Sequence, residues 1–304
     1  MDFIFTKLDH WLIPSPAPDA LDEMFRALDL EWIQDIPYKK AGERILTLDV
    51  LRPRDLPADR LHPAVFCIHG GAWRKGTNKN YNAATFAANG YVTFNLRYRF
   101  TGEALYPAGL DDCKDALKWI AENGPAYGAD PERLAIRGGS SGAHYSLMLA
   151  LEHAMHPDPS YHLCAVLAAC APSNMPECCR AAQSAGLGFA TAFDALVGHE
   201  IGDNYACLEP LSPLHILNRM EEEQLKRIPP ILLIHGTSDP LVPYRQSLEF
   251  FDALKHKGIL SELHLLENAE HNYMFDAGRF CPERMAVLLR FLERHLGPSW
   301  KESL

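Results

Sequence analysis

Three residue types able to do nucleophilic chemistry stand in three separate stretches, in a fixed order along the chain. The first is Ser140, in Gly138-Gly139-Ser140-Ser141-Gly142. A Gly-x-Ser-x-Gly pattern carries physical meaning when an apolar strand precedes it and a helix follows. The turn is then too sharp for side chains near the serine, which is held strained with its hydroxyl exposed. Here Arg133-Leu134-Ala135-Ile136 supplies the strand, and residues 142–155 read as the helix. The helix N-terminus at the turn favours a developing oxyanion. Shifting the frame by one would make Ser141 the nucleophile, but Ala143 then stands where the second glycine belongs.

A serine hydroxyl is a poor nucleophile until a base takes its proton and a carboxylate orients that base. Asp239 lies in Ile234-His235-Gly236-Thr237-Ser238-Asp239-Pro240, and His271 in Glu267-Asn268-Ala269-Glu270-His271-Asn272. Each follows an apolar strand, and catalytic groups of open parallel sheets gather at the carboxyl ends of the strands. Alone, each has an ordinary explanation. Asp before Pro is a common turn, and one of 14 histidines in a loop is usually solvated or packed. Together, in the order Ser, Asp, His, they point to a triad of Ser140, Asp239 and His271.

Acyl transfer through such a triad needs backbone donors for a tetrahedral oxyanion. One is expected from Ser141, the residue after the nucleophile. The others are expected from Gly71 and Ala72 in His69-Gly70-Gly71-Ala72-Trp73, where glycines let the backbone approach the substrate. His69 is read as holding this loop by hydrogen bonds. Trp73 is read as a wall of the substrate pocket, with a packed aromatic as the equal alternative.

Positioning these groups requires strands that alternate with helices. Apolar runs at residues 64–68, 91–96, 133–136, 163–168, 230–234 and 261–266 read as strands, with a partly alternating strand at 45–51 near the sheet edge. Residues 79–89, 109–123, 142–155, 243–257 and 282–296 read as helices. The alternation implies one α/β domain over residues 1–304, a mostly parallel central sheet with helices on both faces. Residues 1–40 read as an N-terminal extension with one helix near 20–31, started after Pro14, Pro16 and Pro18 and capped by Asp19. Residues 172–226 exceed what a crossover needs and are expected to form a small cap over the site, with an extra surface helix pair as the alternative.

Composition narrows the partners. The chain carries 29 Lys and Arg against 39 Asp and Glu, a net charge of -10, which argues against nucleic acid and an anionic membrane surface. Residues 1–30 hold no apolar run long enough to span a bilayer. Asp2, Lys7, Asp9 and His10 interrupt any secretory signal, so a cytoplasmic protein is expected. Eight cysteines lack metal-type spacing, Cys178 and Cys179 being adjacent, so free thiols and no metal are expected. No cofactor is called for. The expected partner is a small-molecule ester, and a homodimer is left open.

The motifs His69-Gly70-Gly71-Ala72-Trp73, Arg97-Tyr98-Arg99, Tyr106-Pro107-Ala108-Gly109-Leu110-Asp111-Asp112 and Gly138-Gly139-Ser140-Ser141-Gly142 resemble the α/β-hydrolase-fold esterase/lipase branch related to hormone-sensitive lipase. The His-Gly-Gly-x-Trp form is most similar to the bacterial feruloyl and acetyl esterase-like (BD-FAE-like) group, and kynurenine formamidases are also similar. The resemblance runs from about Ile36 to Leu296 and implies the same triad and oxyanion loop. Ala72 replaces a third glycine of the hormone-sensitive lipase pattern, Gly139 stands where many relatives carry Asp, and His144 lies near the site without a catalytic assignment. The expectation is a serine carboxylesterase acting on short-chain acyl esters. An arylformamidase or other amide hydrolase, and a non-catalytic binding protein on the same scaffold, are the rivals.

Overall fold

A computed structural model describes residues 18–79, 83–271 and 282–298. Eight strands form one sheet: β1 (Leu30–Ala41), β2 (Arg44–Pro53), β3 (His62–Ile68), β4 (Val92–Leu96), β5 (Ala129–Gly139), β6 (Leu163–Ala169), β7 (Ile231–Gly236) and β8 (Ser261–Leu266). Their spatial order is β1-β2-β4-β3-β5-β6-β7-β8. β1 pairs with β2, and β2 with β4, antiparallel; every later pairing is parallel.

β3, β4 and β7 are buried at every position, because helices cover both faces. Side chains along β3 therefore alternate between two cores. Ala64, Phe66 and Ile68 join one with Leu48, Phe94 and Ile136; Val65 and Cys67 join the other with Leu51, Ala135 and Leu232. The helices are α1 (Pro18–Ala27), α2 (Ala84–Ala88), α3 (Ala108–Asn123), α4 (Ser141–Met155), α5 (Met175–Ser184), α6 (Thr191–Val197), α7 (Pro213–Arg219), α8 (Glu222–Leu225), α9 (Arg245–His256) and α10 (Pro282–Leu296). Leu110, Leu117, Leu147 and Leu151 place α3 and α4 on the first core. Leu21, Phe25, Phe86, Phe291 and Leu292 place α1, α2 and α10 on the second. Among the described residues, no helix is long and apolar enough to cross a membrane.

The N-terminal stretch departs from the sequence expectation. Its helix ends at Ala27, and residues 30–41 form the edge strand of the sheet rather than an appendage. Register slips at Ile33/Ile36 and Pro37/Lys39 break the two-residue alternation that would have revealed it. Bulges, a proline and charged residues are how edge strands avoid further pairing. The stretch before Pro18, including Pro14 and Pro16, lies outside the described residues. The helix expected over 79–89 is shorter: α2 covers only Ala84–Ala88. Residues 80–82 fall outside the described residues; just before them, Asn78 Nδ2 donates to the buried Asp49 Oδ1 at 2.8 Å.

Residues 172–226 carry α5 to α8 and two short 3-10 turns between β6 and β7. This insertion is packed, not loose: Met175, Cys178, Phe193, Leu196, Leu208 and Leu217 all belong to the first core.

Candidate active site

Ser140 occupies the turn between β5 and α4 with φ 54° and ψ -124°, a positive-φ conformation that costs an L-residue energy. Close packing dictates its glycine neighbours. A Cβ on Gly142 would sit 2.2 Å from Ile68 O, and one on Gly138 would sit 2.2 Å from Gly142 O. The end of β3 thus passes directly against the start of α4.

His271, just beyond β8, places Nε2 2.9 Å from Ser140 Oγ and Nδ1 2.6 Å from Asp239 Oδ2. A carboxylate only accepts, so Nδ1 carries the proton and Nε2 is free to accept from the serine hydroxyl. The Asp239 side chain is fully buried, and its Oδ1 accepts the backbone N–H groups of Leu241 and Val242, both at 2.9 Å. Burial alone would push its carboxyl up; hydrogen bonds from His235 and His271 outweigh that and hold it below the ordinary carboxylate range. The three residues expected to act together are therefore brought into one hydrogen-bonded line at the carboxyl ends of β5, β7 and β8.

A dipeptide at the end of β6 fastens all three loops. Ser140 N–H donates to Ala169 O at 2.8 Å, and Cys170 N–H donates to Ile234 O at 2.9 Å. Cys170 Sγ lies 3.6 Å from His271 O, and Cys170 itself has φ 50°. Among the described residues, Cys170, Asp239 and His271 are the His, Cys, Asp or Glu side chains grouped closely enough to share a metal, their donor atoms within 4.8 Å of one another. Those donors are already engaged with each other and with Ser140, and burial raises the Cys170 thiol well above its usual value, which keeps it protonated. This is a poor fit for a metal centre.

The glycine loop lies against the nucleophile. A Cβ on Gly70 would meet Gly139 O at 2.8 Å and Ser140 Cβ at 3.3 Å. Gly71 has φ 126°, and a Cβ there would fall 1.9 Å from Lys75 O. Gly71 O accepts from the N–H groups of Arg74 and Lys75, both at 3.1 Å, which closes the loop into a tight turn. Among the described residues, no acceptor engages the N–H of Gly71 or Ala72. Ser141 opens α4, where a backbone N–H has no partner within the helix.

His69 is buried, stacked on Tyr98 with ring centroids 4.5 Å apart, and its Nδ1–H donates to Gly70 O at 2.8 Å. Burial lowers its pKa to about 4, so it is neutral and structural, consistent with a loop-holding role. Trp73 is also fully buried and does not present an open pocket wall in this structure. Its ring packs against Phe189 and Phe193 of the insertion at 6.3 and 5.6 Å. Two histidines that the sequence left without a role touch this machinery. His235 places Nε2 3.2 Å from Asp239 Oδ2, and His144 Nδ1 accepts from Trp73 Nε1–H at 3.2 Å. Their positions, four residues before Asp239 and four after Ser140, were the available signal.

Comparison with known proteins places the chain in a family. The BD-FAE family model matches residues 48–254, more than half of the chain and including Ser140 and Asp239. Esterase LipQ of Mycobacterium tuberculosis is 28% identical over 260 residues, covering 83% of this chain and 59% of that protein. The probable carboxylic ester hydrolase LipM of the same organism is 28% identical over 263 residues, covering 79% of this chain and 55% of that protein. The chain thus spans somewhat over half the length of these relatives. The versiconal hemiacetal acetate esterase of Dothistroma septosporum is 28% identical over 206 residues, covering 65% of this chain and 62% of that protein. Among solved structures, an inhibited esterase B from Lactobacillus rhamnosis superposes with a TM-score of 0.71 at 20% identity, covering 91% of this chain and 93% of that one. A truncated carbohydrate esterase from gut microbiota superposes with a TM-score of 0.70 at 19% identity, covering 88% and 96%. At these identities the structural likeness establishes the fold.

Proposed function

This chain belongs to the BD-FAE family and has the α/β-hydrolase fold, and from that premise we propose that it is a serine carboxylesterase acting on short-chain acyl esters. The observation that carries the reading is the hydrogen-bonded line from Ser140 Oγ through His271 to Asp239, beside a glycine loop with unengaged amides. The acetate ester in one relative's name supports a small acyl group.

In this reading His271 Nε2 takes the hydroxyl proton as Ser140 Oγ attacks the ester carbonyl. Charge builds on the carbonyl oxygen, and the amides of Gly71, Ala72 and Ser141 stabilise it, each such donor contributing about 3–4 kcal/mol. His271 returns its proton to the departing alcohol. Water, deprotonated by the same nitrogen, then cleaves the acyl-enzyme. Asp239 holds the required tautomer and stabilises the imidazolium as it forms. The insertion at 172–226 serves as a cap, packing onto the loop that carries the oxyanion donors.

The experiment is hydrolysis of nitrophenyl esters from acetyl to decanoyl, with N-formylkynurenine in parallel. The expected result is activity greatest on the short acyl chains and about 10⁴–10⁶-fold lower kcat in Ser140→Ala. Fluorophosphonate labelling should fall on Ser140 alone. Preference for the formamide would replace the ester reading with an amide one. Failure to label, with no turnover of either substrate, would leave a binding protein.

A further inference from the structure

One buried imidazole joins the glycine loop, the nucleophile's helix and the insertion, and the proposed reaction does not use it. His144 and Trp73 are both fully buried. Trp73 Nε1–H donates to His144 Nδ1 at 3.2 Å, and His144 Nε2 lies 2.7 Å from Leu211 O. An indole N–H only donates, so Nδ1 must be a bare acceptor; a carbonyl only accepts, so Nε2 must carry the proton. A neutral ring is the one ionisation state that satisfies both neighbours. Burial favours that state, with the Leu211 hydrogen bond acting weakly against it.

The backbone of the same residue is tied to the nucleophile, since His144 N–H donates to Ser140 O at 3.0 Å. The loop it reaches is strained. Ala72 and Trp73 have φ 55° and 57°, two successive L-residues in the left-handed region. Such residues persist only when their surroundings hold them. Trp73 is held at its carbonyl by Thr101 N–H at 2.9 Å, on its ring by Phe189 and Phe193, and at its one polar side-chain atom by His144. An apolar residue at 144 could fill the space but could not hold the indole N–H.

We infer that His144 is a positioning residue for the oxyanion loop: by fixing the Trp73 indole it sets where the amides of Gly71 and Ala72 stand relative to Ser140 Oγ, and through Leu211 it makes that setting depend on the seating of the insertion. The inference rests on the acyl-transfer reading, because only there do those amides meet a developing charge. An interaction made mainly in the transition state lowers kcat when lost and leaves substrate affinity nearly unchanged.

The test compares wild type, His144→Leu, His144→Gln, Trp73→Phe and the His144→Leu/Trp73→Phe double variant on nitrophenyl acetate. It also follows the Trp73 indole N–H by proton–nitrogen NMR, its resonance identified by disappearance in Trp73→Phe. The expected result is a fall in kcat of about 10- to 100-fold in His144→Leu with KM within about twofold. The indole resonance should move upfield. His144→Gln, whose amide can accept from the indole and donate to Leu211 O, should recover most of both. The double variant should be little worse than the worse single one, because both changes break the same bond. Should His144→Leu not fold, His144→Gln and Trp73→Phe decide the matter: kcat must be largely kept in the first and lost in the second. Wild-type kcat in His144→Leu, additive losses in the double variant, or a loss that Gln does not repair would overturn the inference. An inactive wild type would instead overturn the esterase reading itself.

Discussion

His235 Nε2 lies 3.2 Å from Asp239 Oδ2, so a second imidazole rests on the same carboxylate oxygen that faces His271. That nitrogen also lies 2.9 Å from Val242 O, and Nδ1 lies 2.7 Å from Ser247 Oγ. Facing two acceptors, Nε2 must carry a proton, and it withdraws electron density from the carboxylate. Replacing His235 by Phe should therefore leave Asp239 more basic and hold a proton on its neighbour more firmly. The expected outcome is an acid limb of the kcat/KM profile displaced to higher pH, with a stability loss of about 1–3 kcal/mol from the orphaned carbonyl and hydroxyl. A pH–rate series with urea denaturation of both proteins checks it, and an unmoved limb refutes it.

Stability should fall on mild acidification for an identifiable reason. Burial brings both His69 and His144 to about 4, against 6.5 for the free side chain. Between those values the unfolded chain binds more protons than the folded one, so stability rises with pH there and is lost as pH drops through the window. With both groups contributing, the slope reaches about 2.7 kcal/mol per pH unit. The depressed Asp239 carboxyl adds a further loss at still lower pH, since its folded form resists protonation. Urea midpoints at pH 7, 6 and 5 measure the slope, and His144→Gln should remove about half of it.

Cysteine reactivity should follow burial. Cys170 and Cys178 are fully buried with thiols pushed up by desolvation, whereas Cys164 and Cys207 are partly exposed. Alkylation of the native protein followed by peptide mass mapping should, among the seven described cysteines, mark Cys164 and Cys207 first. Cys170 should react only in denaturant; modification of Cys170 in the folded protein would contradict its placement behind His271.

Two glycines give opposite forecasts for the same substitution. Gly142→Ala puts a methyl group 2.2 Å from Ile68 O, while Gly102→Ala meets nothing within 4 Å. The first should cost about 3 kcal/mol or more and abolish turnover by shifting the elbow; the second should stay within about 0.5 kcal/mol. Thermal melts of the two variants separate them directly.

Much of this site was legible in the sequence because its loops follow continuous apolar strands. β3 and β7, buried on both faces, announce themselves, and the Ser, Asp, His order then assigns the loops after β5, β7 and β8. β1 was hidden because its bulges erase the alternation around Pro37. The partners of His144 were hidden for another reason. They lie 71 and 67 residues away, and a hydrogen bond formed across such separations depends on how α4, the glycine loop and the insertion approach one another. Trp73 shows the same limit. Its residue type fits a pocket wall or a packed ring equally well, and only the aromatic residues of α6 and the turn before it decide between them.

The anchor that the insertion offers His144 is the main-chain carbonyl of Leu211, and a carbonyl is the same whatever residue bears it. A change of side chain at position 211 would therefore leave that acceptor in place so long as the backbone of the turn is kept. The tie between the insertion and the helix of Ser140 is in this respect a property of the backbone path, not of the residue type that follows it.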